Sequence, residues 1–175
     1  MLIRRPRRFI VMKWWGLRLG RLVEMTHTFL TRSTVIDAPV DQVRVLIEDL
    51  HAWESWSPWQ ELDPAMQQTY SGAERGIGAK MAWAGNKKAG EGRMTVVTVE
   101  DNLVEVDIEF IKPWAAQNCS HFKLQPTEGG TAVAWSMSGE QNLIMKAMFK
   151  VFNMQKRISA DFERGLARLK AAAEG

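Results

Sequence analysis

The chain has 175 residues, 25% charged and 46% hydrophobic, with one cysteine and a net charge of +3. A chain of this length makes one domain that buries roughly 70% of its unfolded surface, so a core forms without covalent staples. An intrachain disulfide is excluded, which fits a reducing, cytoplasmic compartment, and with only His27, His51 and His121 beside Cys119 no metal site or cofactor motif is expected.

The charge divides the chain. Residues 1–25, "MLIRRPRRFIVMKWWGLRLGRLVEM", hold seven basic side chains and one acid, a net +6; the other 150 residues hold 16 basic and 19 acidic, a net −3. The main domain, 26–175, therefore lacks the positive field that nucleic-acid binding needs. No apolar run in 1–25 approaches the ~20 residues that span a bilayer, so stable membrane insertion is not expected. The extension is open to three readings: a basic amphipathic helix lying on an anionic membrane, a poorly ordered tail, or a start-site artefact with Met25 as the first residue.

From Thr26 the periodicities define elements. "THTFLTRSTVI" is rich in Thr and Val and predicts a strand. "DAPVDQVRVLIEDLHAW" predicts a short helix, with Asp37 as cap, Pro39 in the first turn, and Val40, Val43, Leu46 and Ile47 at helical spacing. A second short helix carries Trp53, Trp56 and Trp59, three of the chain's eight tryptophans, and Pro58 and Pro64 stop it. "QQTYSG" and "GAKMAWAG" predict short strands separated by glycines. "GRMTVVTVE" turns at Asp101-Asn102 into "LVEVDIEFI", whose apolar residues alternate with Glu105, Asp107 and Glu109 as in a strand with one wet face. "AAQNCSHFKLQP" and "TAVAWSMSG", joined at Gly129-Gly130, complete the sheet, and the short connections make it antiparallel. Cys119 in this run reads as a small buried hydrophobe.

Residues 142–173 contain no proline. Met148, Phe152, Ile158, Phe162, Leu166 and Leu169 trace one face of a helix that would be roughly 45 Å long, with a break expected near 142–145. Gly165 within it predicts close packing against the sheet, because glycine costs a helix about 1 kcal/mol relative to alanine.

Several of these stretches carry a resemblance over residues 33–174. "STVIDAPVDQVRVLIEDLHAWESWSPW", "YSGAERGIGAKMAW", "GEGRMTV", "TAVAWSMSGE" and "NMQKRISADFERGLARLK" resemble, in order, the polyketide cyclase/dehydrase-like (SRPBCC) branch of the START/Bet v 1-like superfamily found in bacteria. Gln155-Lys156-Arg157 departs from the Asp-Lys pair of many relatives, so no role carries over there. The resemblance implies an α+β helix-grip fold: a curved seven-stranded antiparallel sheet around a long C-terminal helix, two short helices after the first strand, and a cavity between sheet and helix.

In that frame the tryptophans plug the open end of the grip, as a packed lid or with at least one indole at a ligand entrance. Alternation that turns Phe122 and Leu124 inward also turns in Asn118 and Ser120, unless the strand bulges or both sit near a wet mouth. The wall is completed by Met81, Trp83, Met94, Phe110, Trp135 and Met137, with Met148, Phe152 and Met145 from the helix. Adaptable methionines suit an irregular apolar guest, although each residue also fits ordinary core.

No catalytic constellation emerges. There is no phosphate loop, no G-x-S-x-G and no cysteine pair; His121 falls out of phase with the inward residues, and Glu91 and Arg93 share a face as a pocket pair or a surface pair. The first expectation is sequestration or transport of a hydrophobic or amphipathic small molecule by a monomer. A cyclase or dehydratase acting in the same cavity, and a protein-interaction or stress-response module, are the alternatives.

Overall fold

In the computed structural model, residues 27–139 and 154–175 are described; residues 1–25, the expected helix break and the predicted wall residues Met145, Met148 and Phe152 lie outside them. Seven strands form one antiparallel sheet: β1 (His27–Ile36), β2 (Gln67–Gly72), β3 (Ala79–Ala84), β4 (Glu91–Glu100), β5 (Leu103–Lys112), β6 (Ala116–Thr127) and β7 (Gly130–Gly139). Their order across the sheet is β1-β7-β6-β5-β4-β3-β2, so each strand from β2 to β7 lies beside its sequence neighbour and only β1 pairs over a long distance. Two short helices, α1 (Val40–Glu48) and α2 (Trp53–Trp56), follow β1. The C-terminal helix α3 (Met154–Glu174) runs against β1, α1 and α2. This is the curved sheet and terminal helix of the helix grip.

Period-two alternation sorts the side chains into two faces. Val96, Val104, Val106, Ile108, Phe122, Leu124, Val133 and Trp135 are buried on the concave face. Glu105, Asp107 and Glu109 lie on the convex face, cross-strand partners of Thr98, Thr95 and Arg93.

Aromatics fill the concave face at the α1 end. Trp135 lies between Phe162 of α3 and Phe122 of β6, with centroids 3.9 and 5.0 Å away. Trp56 and Trp59 meet Trp135 edge-on at 5.8 and 5.7 Å. Gly165 permits this approach: a Cβ there would stand 2.8 Å from Trp135 Cζ3 and 3.1 Å from Pro58 Cδ. The missing side chain is what lets α3 seat on the cluster.

The cap of α1 differs from the expectation. Pro39 is the N-cap residue, with extended backbone, and its carbonyl accepts from Gln42 and Val43. Asp37 caps nothing; its N–H donates to Glu174 Oε1 at 2.7 Å, and Gln42 Nε2 donates to Ala173 O at 2.8 Å. The end of α3 thus latches onto the start of α1, and the helix start is set by proline's fixed φ.

Candidate functional site

The tryptophans of α2 answer a local need. A helix leaves its last carbonyls without intrahelical donors. Trp53 Nε1 donates to Ile47 O at 2.8 Å and Trp56 Nε1 to Leu46 O at 2.9 Å, so both indoles cap the end of α1. Both rings are buried and pack on each other and on Phe122. Trp59 is half-buried and reaches Trp135 and Phe162. The lid of the grip is a packed aromatic cluster, with the polar atoms of Trp53 and Trp56 already engaged.

The other end of the concave face has a different character. Register places Tyr70, Met81, Met94, Ile108, Asn118 and Gly139 in one row across six strands. Beside it run Val96, Val106, Ser120 and Met137 on one side, and Gln68, Trp83, Gly92 and Phe110 on the other. Met81, Met94 and Met137 are buried; Trp83, Phe110 and Asn118 are half-buried. Trp83 lies over Gly92, whose missing Cβ makes room for the indole, donates to Ala89 O at 3.2 Å, and meets Phe110 edge-on at 5.7 Å. The structure therefore gathers Met81, Trp83, Met94, Phe110, Asn118 and Met137 at one end, and Trp53, Trp56, Trp59 and Trp135 at the other.

The inward polar residues are accommodated without a bulge in β6, whose pairing with β5 and β7 is continuous. Ser120 is fully buried and accepts from Trp135 Nε1 at 3.3 Å. Asn118 leans over Gly139, close enough that a Cβ there would strike its amide. Among the described residues no buried side-chain nitrogen or oxygen lacks a partner.

A polar border flanks the methionine end, one the sequence analysis did not find. Tyr70 stacks on His51 with ring centroids 3.9 Å apart, and its hydroxyl donates to Gln68 Oε1 at 2.6 Å and approaches Glu54 Oε1 at 3.4 Å. Gln68 Nε2 in turn donates to Gln60 Oε1 at 2.6 Å. Burial, followed by the Glu54 charge and hydrogen bond, pushes the Tyr70 phenol up to about 12, so it stays protonated at neutral pH. The only advance signal was alternation in "QQTYSG", which puts Gln68 and Tyr70 on one face.

On the convex face, His121 is engaged at both ring nitrogens. Its Nδ1 meets Glu105 Oε1 at 2.8 Å and its Nε2 meets Ser138 Oγ at 2.7 Å, while Thr98 Oγ1 donates to Glu105 Oε2 at 2.7 Å. Burial pushes the Glu105 carboxyl up, but the bonds from Thr98 and His121 and the His121 charge outweigh it and hold it below its ordinary value. Ser138 is buried, whereas His121 and Glu105 remain about one-quarter exposed. Cys119, on the same face, is half-buried rather than core; burial and the nearby Asp107 and Glu105 push its thiol up to about 12, leaving it a poor nucleophile. Glu91 and Arg93 do not pair with each other: Glu91 takes Lys112 Nζ at 2.8 Å and Arg93 takes Glu109 at 2.6 Å, because charges pair across strands. No three metal-ligating side chains converge among the described residues.

The family model described as "Polyketide cyclase / dehydrase and lipid transport" matches residues 27–174. No curated protein matches in sequence. Protein CV1439 of Chromobacterium violaceum is 15% identical, with a TM-score of 0.60 over 85% of this chain and 99% of that one. The di-domain ARO/CYC StfQ from the steffimycin biosynthetic pathway is 14% identical, with a TM-score of 0.59 over 83% of this chain and 50% of that one. Ara h 8.0201 is 12% identical, with a TM-score of 0.53 over 83% of this chain and 99% of that one. At such identities the likeness is one of fold.

Proposed function

The chain belongs to the polyketide cyclase/dehydrase and lipid transport family, and from that premise we propose that it sequesters or carries a hydrophobic or amphipathic small molecule on the methionine end of its concave face. The observation that carries the reading is the division of that face. One end is sealed by aromatics, with the indole N–H groups of Trp53, Trp56 and Trp135 engaged; the other is lined by Met81, Met94, Ile108 and Met137, bordered by Trp83, Phe110 and the amide of Asn118. Thioether side chains repack around an irregular guest at little cost. Burying about 300 Å² of apolar ligand at ~25 cal/mol per Å² yields a gross ~7 kcal/mol before association costs, which is micromolar-class binding at best. We place the protein in the cytoplasm, because one cysteine admits no intrachain disulfide.

Binding of an environment-sensitive apolar dye, and its displacement by fatty acids and polycyclic aromatics, tests this. Met81→Trp and Met94→Trp should weaken dye binding tenfold or more by filling the space, while Arg93→Ala on the convex face leaves it unchanged. Dye affinity indifferent to both methionine substitutions, in variants that keep their fold, overturns the reading.

Tyr70 favours a second reading, a cyclase or dehydratase in the same place. A phenol that stays protonated beside an apolar surface can polarise a guest's carbonyl by hydrogen bonding to it. Tyr70→Phe would then abolish turnover of a polyketide-like substrate and spare binding; equal loss of both returns the protein to the carrier reading.

A further inference from the structure

The antiparallel order brings the start of β1, the ends of β3, β5 and β7, and the starts of β4 and β6 to one end of the sheet. The β3–β4 and β5–β6 turns abut there: a Cβ on Gly90 would stand 3.4 Å from Pro113 Cδ. Between them they expose Lys87, Lys88, Ile111, Lys112 and Trp114. Trp114, in the β5–β6 turn, is 60% exposed, and Ile111, at the end of β5 just before it, is 46% exposed. Glu91 pairs with Lys112, and Asp63 keeps its charge while its Oδ2 accepts the Asn86 N–H at 2.7 Å. Lys87 and Lys88 outnumber Asp63, so the tip is net positive by one charge. β1 also begins at this end, at His27, and the sequence that precedes it, residues 1–25, has a net charge of +6.

We propose that this end of the molecule docks on an anionic lipid bilayer. Indoles settle at the headgroup level of a membrane, and each flanking lysine adds attraction to acidic lipids. The tip couples both signals on adjoining turns, and charge complementarity selects a negatively charged surface over a neutral one. Among the described residues no helix is long and apolar enough to cross a membrane. The proposal stands apart from the ligand reading, although Trp83, bonded to Ala89 O, places the methionine end directly behind the tip.

Sedimentation of the full-length chain with vesicles tests it, comparing phosphatidylcholine alone with phosphatidylcholine containing about one-third phosphatidylserine. The chain should partition onto the anionic vesicles and be released by salt. Trp114→Ala should lower the partition coefficient roughly tenfold, and the pair Lys87→Ala, Lys88→Ala about twentyfold. Ile77→Ser, at an exposed side chain on the opposite end of the sheet, should change nothing. Full binding by Trp114→Ala, which would assign the contact to residues 1–25 alone, overturns the proposal, as does equal binding to neutral vesicles. Absence of vesicle binding together with self-association abolished by Trp114→Ala would identify the tip as a protein interface instead.

Discussion

Trp135 lies flat on Phe162, their ring centroids 3.9 Å apart and their planes 12° from parallel. This contact joins β7 to α3, and Gly165, one helical turn from Phe162, leaves the space it needs.

Gly165→Ala should therefore destabilise the protein, against the rule that alanine improves a helix. The propensity gain is about 1 kcal/mol, whereas overpacking against Trp135 and Pro58 costs about 1–3 kcal/mol. A net loss of up to about 2 kcal/mol, read as a Tm lowered by several degrees, is expected. Gly129→Ala, where a Cβ meets nothing within 4 Å, should stay within ~0.5 kcal/mol of the parent. A Gly165→Ala protein as stable as the Gly129→Ala protein would refute the tight seat of α3.

Trp53→Phe and Trp56→Phe keep an aromatic ring but remove the donor that caps α1. Each leaves a backbone carbonyl unpaired and should cost about 2 kcal/mol in denaturant unfolding. Trp59→Phe, at a half-buried ring, should cost under ~1 kcal/mol. Equal losses at all three positions would mean that ring volume, not capping, explains the cluster.

Tyr70 is the chain's one tyrosine, so its ionisation can be followed directly in the ultraviolet. In the folded protein the phenolate band should fail to rise through its ordinary midpoint of 10.0 and instead titrate near 12. The folded state favours the neutral phenol, so the stability this contributes is complete below pH 10 and is lost as pH climbs to about 12. Glu54→Gln removes the adjacent charge and should move the midpoint back toward 10. A native titration at 10 would show that Tyr70 is neither buried nor held by Glu54.

Much of the sheet was legible because a half-buried strand writes its orientation as alternation. The inward placing of Phe122, Leu124 and Ser120 follows from that period alone. What alternation omits is the partner across the strand. Glu91 finds Lys112, not Arg93, because the β4–β5 register shifts between Glu91 and Gly92. His121 was placed on the correct face, but its bonds to Glu105 and Ser138 belong to three strands at once and leave no trace in any one of them. The tryptophan spacing announced a cluster; that two indoles serve the carbonyls of Leu46 and Ile47 depends on where α1 stops. The Tyr70–His51 stack joins β2 to the loop before α2, a contact no local pattern encodes.

The bonds from Trp53 and Trp56 reach back only six and ten residues, while β1 must find β7 across most of the domain. Closing a short loop costs far less entropy than closing a long one. The lid thus carries its own fastening: the stretch from Leu46 to Trp56 can hold its bend before the first and last strands have met, and it offers the returning chain a preformed aromatic shelf on which Trp135 and Phe162 come to rest.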